Sequence, residues 1–188
     1  MKFILATKNK GKALELRSIL KEHEIMTMTE AGYNEEIEEN GTTFEENALI
    51  KARFLANKSA LPCIADDSGL EVTALDMRPG IYSARYEATD ERRIKKLLSE
   101  LKGVSDRSAR FVSAAALCFP DGREFVCRGE VYGNITKEPR GTGGFGYDPV
   151  FESVESSKTF GEMTDKEKNE ISHRRRAFEK LKNIIAKI

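Results

Sequence analysis

The stretch Lys2-Phe3-Ile4-Leu5-Ala6-Thr7-Lys8-Asn9-Lys10-Gly11-Lys12 opens on an apolar run and turns through polar residues with one glycine. It leads into a segment that places Leu16, Ile19 and Leu20 on one helical face. A five-residue apolar run reads as a short buried strand, and apolar residues three and four apart read as a helix over about 12–22. Strand, polar loop and helix start in that order form the first half of an α/β unit. The junction also turns backbone N–H groups and the positive end of the helix dipole outward, a geometry that takes phosphate. It is not a Walker A loop, because Gly11-Lys12 is followed by Ala13 and lacks the upstream glycine. A solvated turn with scattered lysines is the plainer reading.

Outward from there, helices and strands alternate. Thr43-Phe44-Glu45-Glu46 matches a capping box and predicts a helix to about Ser59, with Phe44, Ala48, Ala52, Leu55 and Ala56 inward. Pro62–Ala65 reads as a strand that stops at Asp66-Asp67-Ser68-Gly69, a turn-like tetrad, before Leu70-Glu71-Val72 alternates again. A helix is expected from about Asp90 to Lys102. Strands over 110–119 and 124–132 flank Pro120-Asp121-Gly122-Arg123 as a hairpin, and 149–151 is a further strand. A helix capped by Ser172 carries Phe178, Leu181, Ile184 and Ile185 as its stripe, and His23 falls in a polar helix end. The fold class is α/β, one mixed sheet with helices on both sides.

The chain has 188 residues, 31 basic and 31 acidic, with 33% charged and 39% hydrophobic side chains. Its mean hydropathy is −0.49. This is the composition of a globular domain large enough to need no disulfide or structural metal for its core. The nearly apolar run from Phe111 to Phe119 falls far short of the ~20 residues of a membrane helix, and residues 1–8 are too short an apolar run for a signal peptide. Cys63, Cys118 and Cys127 show no CxxC spacing and read as small buried hydrophobes of a reducing compartment, which predicts a cytoplasmic protein. Zero net charge argues against a life on bulk nucleic acid. Neutrality hides segregation: residues 30–50 hold seven acids and no Lys or Arg, whereas 164–188 hold eight bases against four acids. A site binding a metal through carboxylates and phosphates through cations has that need.

Four segments carry chemistry besides the first loop. Asp66-Asp67 ends an apolar strand, where α/β sheets place ligands, and adjacent carboxylates repel unless a cation joins them. An Asx turn explains the same pair, and neighbours in a strand point to different sides, so one of the two faces a site. A second acid could come from Glu35-Glu36-Ile37-Glu38-Glu39, although spacing does not choose among the four. Arg140-Gly141-Thr142-Gly143-Gly144-Phe145-Gly146-Tyr147-Asp148-Pro149 packs four of the chain's 14 glycines into six residues, interleaved with aromatics. Glycines admit close backbone approach and an exposed ring offers a stacking platform. The run superficially resembles the RNP1 signature of RNA-binding domains but fails at Thr142. Finally, Lys168 to Arg176 places three arginines where they oppose a helix dipole, which an anion would relieve.

Together these segments resemble the non-canonical purine NTP pyrophosphatase family (inosine triphosphate pyrophosphatase-like, XTP/dITP diphosphatases). The carriers are Thr7-x-Asn9-x-x-Lys12, Thr43-Phe44-x-Glu46-Asn47-Ala48-x-x-Lys51-Ala52, Asp66-Asp67-Ser68-Gly69-Leu70, Pro79-Gly80-Ile81-Tyr82-Ser83-Ala84-Arg85, Gly141 to Pro149, and Ser172-His173-Arg174. The resemblance implies one domain over 1–188 with an elongated mixed sheet, two lobes and an active-site cleft between them. It implies Mg²⁺-dependent hydrolysis of ITP, dITP and XTP to monophosphate and pyrophosphate by a homodimer, with Mn²⁺ a substitute and neither nucleic acid nor membrane as partner. Carried onto this chain, Thr7, Lys8, Asn9, Lys10, Gly11 and Lys12 grip the triphosphate. Glu39 and Asp67 hold the metal, Asp67 accepts the proton, and Ser68 touches substrate. Phe145, Gly146, Tyr147, Asp148, Lys168, His173 and Arg174 complete the nucleotide site, with Lys51 a further phosphate contact. Lys8 and Arg175 stand where relatives often have glycine. A septum-type pyrophosphatase of modified pyrimidine nucleotides and an RNA-binding module are the rival readings.

Overall fold

The computed structural model describes residues 1–188. Six strands form one sheet in the order β2-β1-β3-β4-β5-β6: β1 (Lys2–Leu5), β2 (Glu24–Thr27), β3 (Cys63–Val72), β4 (Ser108–Cys118), β5 (Glu124–Ile135) and β6 (Phe151–Ser153). β1 pairs in parallel with β2 and β3, and β5 pairs antiparallel with β6, so the sheet is mixed. Five helices accompany it: α1 (Lys10–Ile19), α2 (Phe44–Ser59), α3 (Asp90–Glu100), α4 (Asp165–Ile171) and α5 (His173–Ile185). None is long and apolar enough to cross a membrane.

The chain divides into two compact units. Unit 1 comprises 1–67, 113–129 and 174–188; unit 2 comprises 68–112 and 130–173. Each has its own core. In unit 1, Phe3, Leu5, Leu16, Ile19, Ile64, Leu117, Phe178 and Leu181 pack together. In unit 2, Leu70, Val72, Leu97, Phe111, Val131, Phe151 and Phe160 do so. Phe178 and Leu181 are fully buried, so truncating either to alanine costs about 2–5 kcal/mol.

Helix starts follow their caps. Thr43 Oγ1 accepts from Glu46 N at 3.1 Å and opens α2, whose expected inward residues are all buried. The reciprocal limb goes elsewhere, since Glu46 Oε2 accepts from Thr42 N at 2.6 Å. α2 ends at Ala60 in the left-handed region. The hairpin between β4 and β5 forms with Gly122 at φ 90°. Cys63 and Cys118 are buried free thiols that burial pushes up to about 11 and about 12, as befits inert small hydrophobes.

Several sequence expectations change. The tetrad 66–69 is not a turn, because β3 runs through it without a break. Its acids find lysine, arginine and serine partners from distant segments instead of closing an Asx turn on themselves. The segment read as a strand over 149–151 splits into a 3-10 turn at 148–150, started by Pro149, and β6 at 151–153. His23 does not end a helix: α1 stops at Ile19, and His23 leads into β2, four partly exposed residues with no apolar period. Between α4 and α5, Ser172 stands in extended conformation as the last cap of α4.

Candidate active site

Mid-strand neighbours on β3 project to opposite faces, and Asp66 and Asp67 meet different fates there. Asp66 is 1% exposed. Its Oδ2 lies 2.7 Å from Lys12 Nζ and 3.3 Å from Arg174 Nε, and its Oδ1 accepts from Ser113 Oγ at 2.6 Å. Arg174 also donates to Glu15. Burial alone pushes the Asp66 carboxyl up; the charges of Lys12 and Arg174 and the bonds from Lys12 and Ser113 override it and hold it well below the usual range.

Asp67 is 6% exposed with its Oδ1 3.5 Å from Lys51 Nζ, while its buried Oδ2 has no hydrogen-bond donor. Burial is the largest influence and raises this carboxyl; Lys51 and Lys12 oppose it, and the negative charges of Glu39 and Asp66 add to it. The Lys51 ammonium, itself buried, also touches Glu39 Oε1 at 3.1 Å and donates to the Asp66 carbonyl at 3.0 Å. Of the four clustered glutamates it is Glu39 that reaches this lysine; Glu35 pairs with Lys58 instead.

Two carboxylates thus converge on one positive centre, and a buried oxygen of one lacks a donor. That arrangement fits a hard divalent cation with oxygen ligands, Mg²⁺ or Mn²⁺. Glu39 and Asp67 would be the protein's ligands to such a cation, and Mg²⁺ sites commonly add water and substrate phosphate to one or two carboxylates.

The first loop is built as a helix entry. Thr7 Oγ1 accepts from Asn9 N at 3.1 Å, and Asn9 caps α1 by accepting from Lys12 N at 3.0 Å. Lys10, Gly11 and Lys12 therefore lie in the first turn of α1, earlier than the sequence pattern suggests. Lys8 Nζ donates to the Asn34 carbonyl at 2.9 Å.

Unit 2 holds a second group. Lys168 Nζ lies 2.7 Å from Asp148 Oδ2, both side chains nearly fully buried, and the same ammonium sits 4.6 Å from the centre of the Phe145 ring. Asp148 Oδ2 also accepts from Phe145 N at 2.9 Å, and Gly146 N donates to Asp90 Oδ2 at 2.8 Å. Tyr147 donates to the Ser83 carbonyl at 2.8 Å. The glycines serve the loop's own packing: Gly144 has φ +72° and a Cβ there would overlap Asp148 Oδ2, while one at Gly141, φ +80°, would overlap the Gly161 carbonyl. His173 stacks on Phe111 at 4.8 Å and 14°, and Phe160 lies near both rings, 6.5 Å from His173 and 5.7 Å from Phe111.

Of the residues expected from sequence, Thr7, Lys8, Asn9, Lys10, Gly11, Lys12, Glu39, Lys51, Asp67 and Arg174 fall in unit 1, and Ser68, Phe145, Gly146, Tyr147, Asp148, Lys168 and His173 in unit 2. Glu15, Ser113 and Asp90 are structurally engaged with them and were not expected. Ser113 and Glu15 lie 47 and 159 residues from the partners they bond, a separation no local pattern reports.

A family model described as the Ham1 family matches residues 3–184. The chain is 48% identical to the dITP/XTP pyrophosphatase of Bacillus licheniformis, over 97% of this chain and 96% of that protein. It is 46% identical to the dITP/XTP pyrophosphatase of Bacillus subtilis (strain 168), again over 97% and 96%. Among solved structures, the Ham1 protein of Staphylococcus aureus superposes with a TM-score of 0.91 at 39% identity, covering 99% of this chain and 98% of that one. A nucleoside-triphosphatase / dITP/XTP pyrophosphatase from Mycobacterium abscessus gives 0.79 at 42%, covering 96% and 98%.

Proposed function

From the premise that the chain belongs to the Ham1 family, we propose how its residues carry out the family's chemistry. It is a hydrolase of acid anhydrides that cleaves non-canonical purine nucleoside triphosphates such as dITP and XTP to monophosphate and pyrophosphate. The pyrimidine-nucleotide and RNA-binding readings find no support. The observation that carries the site assignment is the Lys51 ammonium held by both Glu39 and Asp67, beside an Asp67 oxygen without a donor.

Glu39 and Asp67 would hold the divalent cation, Mg²⁺ by preference. When bound it withdraws charge from the phosphates and lowers the pKa of water. Asp67 takes the proton as water attacks the α-phosphorus; the bond to the bridging oxygen breaks and pyrophosphate leaves. Lys51, Lys12 and the first turn of α1 bind the phosphates and hold charge on the leaving group. Asp66 and Arg174 act through Lys12, fixing it from behind.

Phe145 stacks on the purine and cannot choose among bases. A donor from His173, Arg174 or the loop backbone would meet O6 of hypoxanthine or xanthine. Adenine presents a 6-amino donor there, and donor against donor in a buried site discriminates strongly. The active form is a cytoplasmic homodimer. The test is pyrophosphate release from ITP and from ATP, each with Mg²⁺ and with EDTA. Metal-dependent release from ITP with ATP nearly untouched is expected. Equal cleavage of both overturns the base reading, and no cleavage of either overturns the reaction.

A further inference from the structure

Outside the residues given a catalytic or binding role, unit 2 contains a hollow of about 770 Å³ at the C-terminal end of α3, walled in part by Leu98 and Val104. Its charged lining residues are Lys95, Lys102, Arg107 and Lys137, with no acid among the residues that line it. Elsewhere in the unit Arg78, Arg93, Arg110, Arg140 and Lys158 each meet a carboxylate, whereas here four cations face one hollow. Arg107 spends its donors on the carbonyls of Ile135 (2.6 Å), Thr136 (2.7 Å) and Leu101 (3.0 Å), which fixes the guanidinium in place but leaves its charge uncompensated.

Cations at a helix C-terminus commonly serve the dipole. Here that need is already met. Arg107 caps Leu101, and the N–H groups of Leu101, Lys102 and Val104 take the carbonyls of Leu97, Ser99 and Leu101. Lys95, Lys102 and Lys137 are exposed around the hollow and form no ion pair, so an anion seated there would face positive charge on several sides. The volume lies in the range of small-molecule sites.

We propose that this hollow is a second anion site, which binds a chain of linked phosphate groups through Lys95, Lys102, Arg107 and Lys137. The phosphate chain could be inorganic or borne by a nucleoside whose ring rests on Leu98 and Val104. The probes are inorganic tripolyphosphate and ADP, titrated in EDTA into the ¹⁵N-labelled chain. The readout is the amide signals of Gly103 and Ser105 at the hollow and of Lys10 to Lys12 at the first loop. Saturable shifts at Gly103 and Ser105 are expected, with affinity there weakened roughly tenfold in Lys102→Gln/Lys137→Gln and unchanged in the exposed control Lys166→Gln. Shifts with tripolyphosphate alone assign the inorganic chain; stronger shifts with ADP assign the nucleoside-borne one. Shifts confined to Lys10–Lys12, or an equal loss in the control, overturn the proposal.

Discussion

The acid cluster of unit 1 and the acid of unit 2 use the same chemistry to opposite ends. In unit 2, Asp148 faces Lys168 at 2.7 Å and also accepts the Phe145 amide, so its charge is matched and it braces a loop. In unit 1, two adjacent carboxylates divide the work. Asp66 collects Lys12, Arg174 and Ser113 and is as settled as Asp148, whereas Asp67 keeps a buried oxygen with no donor. A buried polar atom without a partner costs about 1–3 kcal/mol, more when charged. That contrast is the ground on which Asp67, and not Asp66 or Asp148, is proposed as the reacting group.

The sharpest way to break the contrast is Asp67→Asn. Turnover of ITP should fall about 10²- to 10⁴-fold, the usual worth of a general base, while the thermal midpoint in EDTA holds or rises. Turnover close to the wild type, measured as pyrophosphate release, removes Asp67 from the chemistry. Asp66→Asn should show the reverse emphasis. It removes the buried charge that Lys12 and Arg174 share, leaving Arg174 paired with Glu15, and breaking a buried pair costs about 3–5 kcal/mol, readable as a lowered denaturant midpoint. A midpoint equal to that of Asp67→Asn would mean the two acids are alike after all.

Phe145→Ala tests the unit 2 side. Losing a stacking ring is worth about 1–3 kcal/mol, so KM for ITP should rise while the ratio of ITP to ATP turnover stays put. A changed ratio would show that the ring selects the base. The smallest effect is a divergence with pH. Both acids start from the ordinary value of 3.8. Asp66 lies below it when folded, so the stability it contributes is present above about pH 4 and is lost as pH falls. Asp67 lies above it, so ionising it costs stability that is intact below about pH 4 and lost as pH rises through its folded value. Melting curves in EDTA should therefore show Asp67→Asn gaining on the wild type as pH rises, and Mg²⁺ should shrink that gain. Parallel curves would contradict the raised carboxyl.

Long amphipathic segments were legible in the sequence: α2 with its Thr43 cap, α3 and the hairpin at Gly122 all stand where pattern and turn chemistry put them. The four residues of β2 were not, because 24–27 show no clear period. α4 was missed among polar residues although Thr164-Asp165-Lys166-Glu167 is a complete capping box, with both limbs formed. The turn reading of 66–69 failed for a physical reason: Asp, Ser and Gly favour turns only while their side chains have nothing better to bond. Which glutamate meets Lys51, and that Arg174 is claimed by Asp66 and Glu15, depended on contacts between distant segments.

The division of the chain also bears on its synthesis. Residues 68–112 and 130–173 are all made before Arg174, yet Ala177, Phe178, Leu181 and Ile185 of α5 belong to the core of unit 1. On a ribosome adding about 5–20 residues per second, the unit begun first is finished last. β1 and α1 then stand with Leu5, Leu16 and Ile19 short of the part of their core that α5 supplies. A nascent chain stalled before Arg174 should therefore present its earliest segment, β1 and α1, to chaperones.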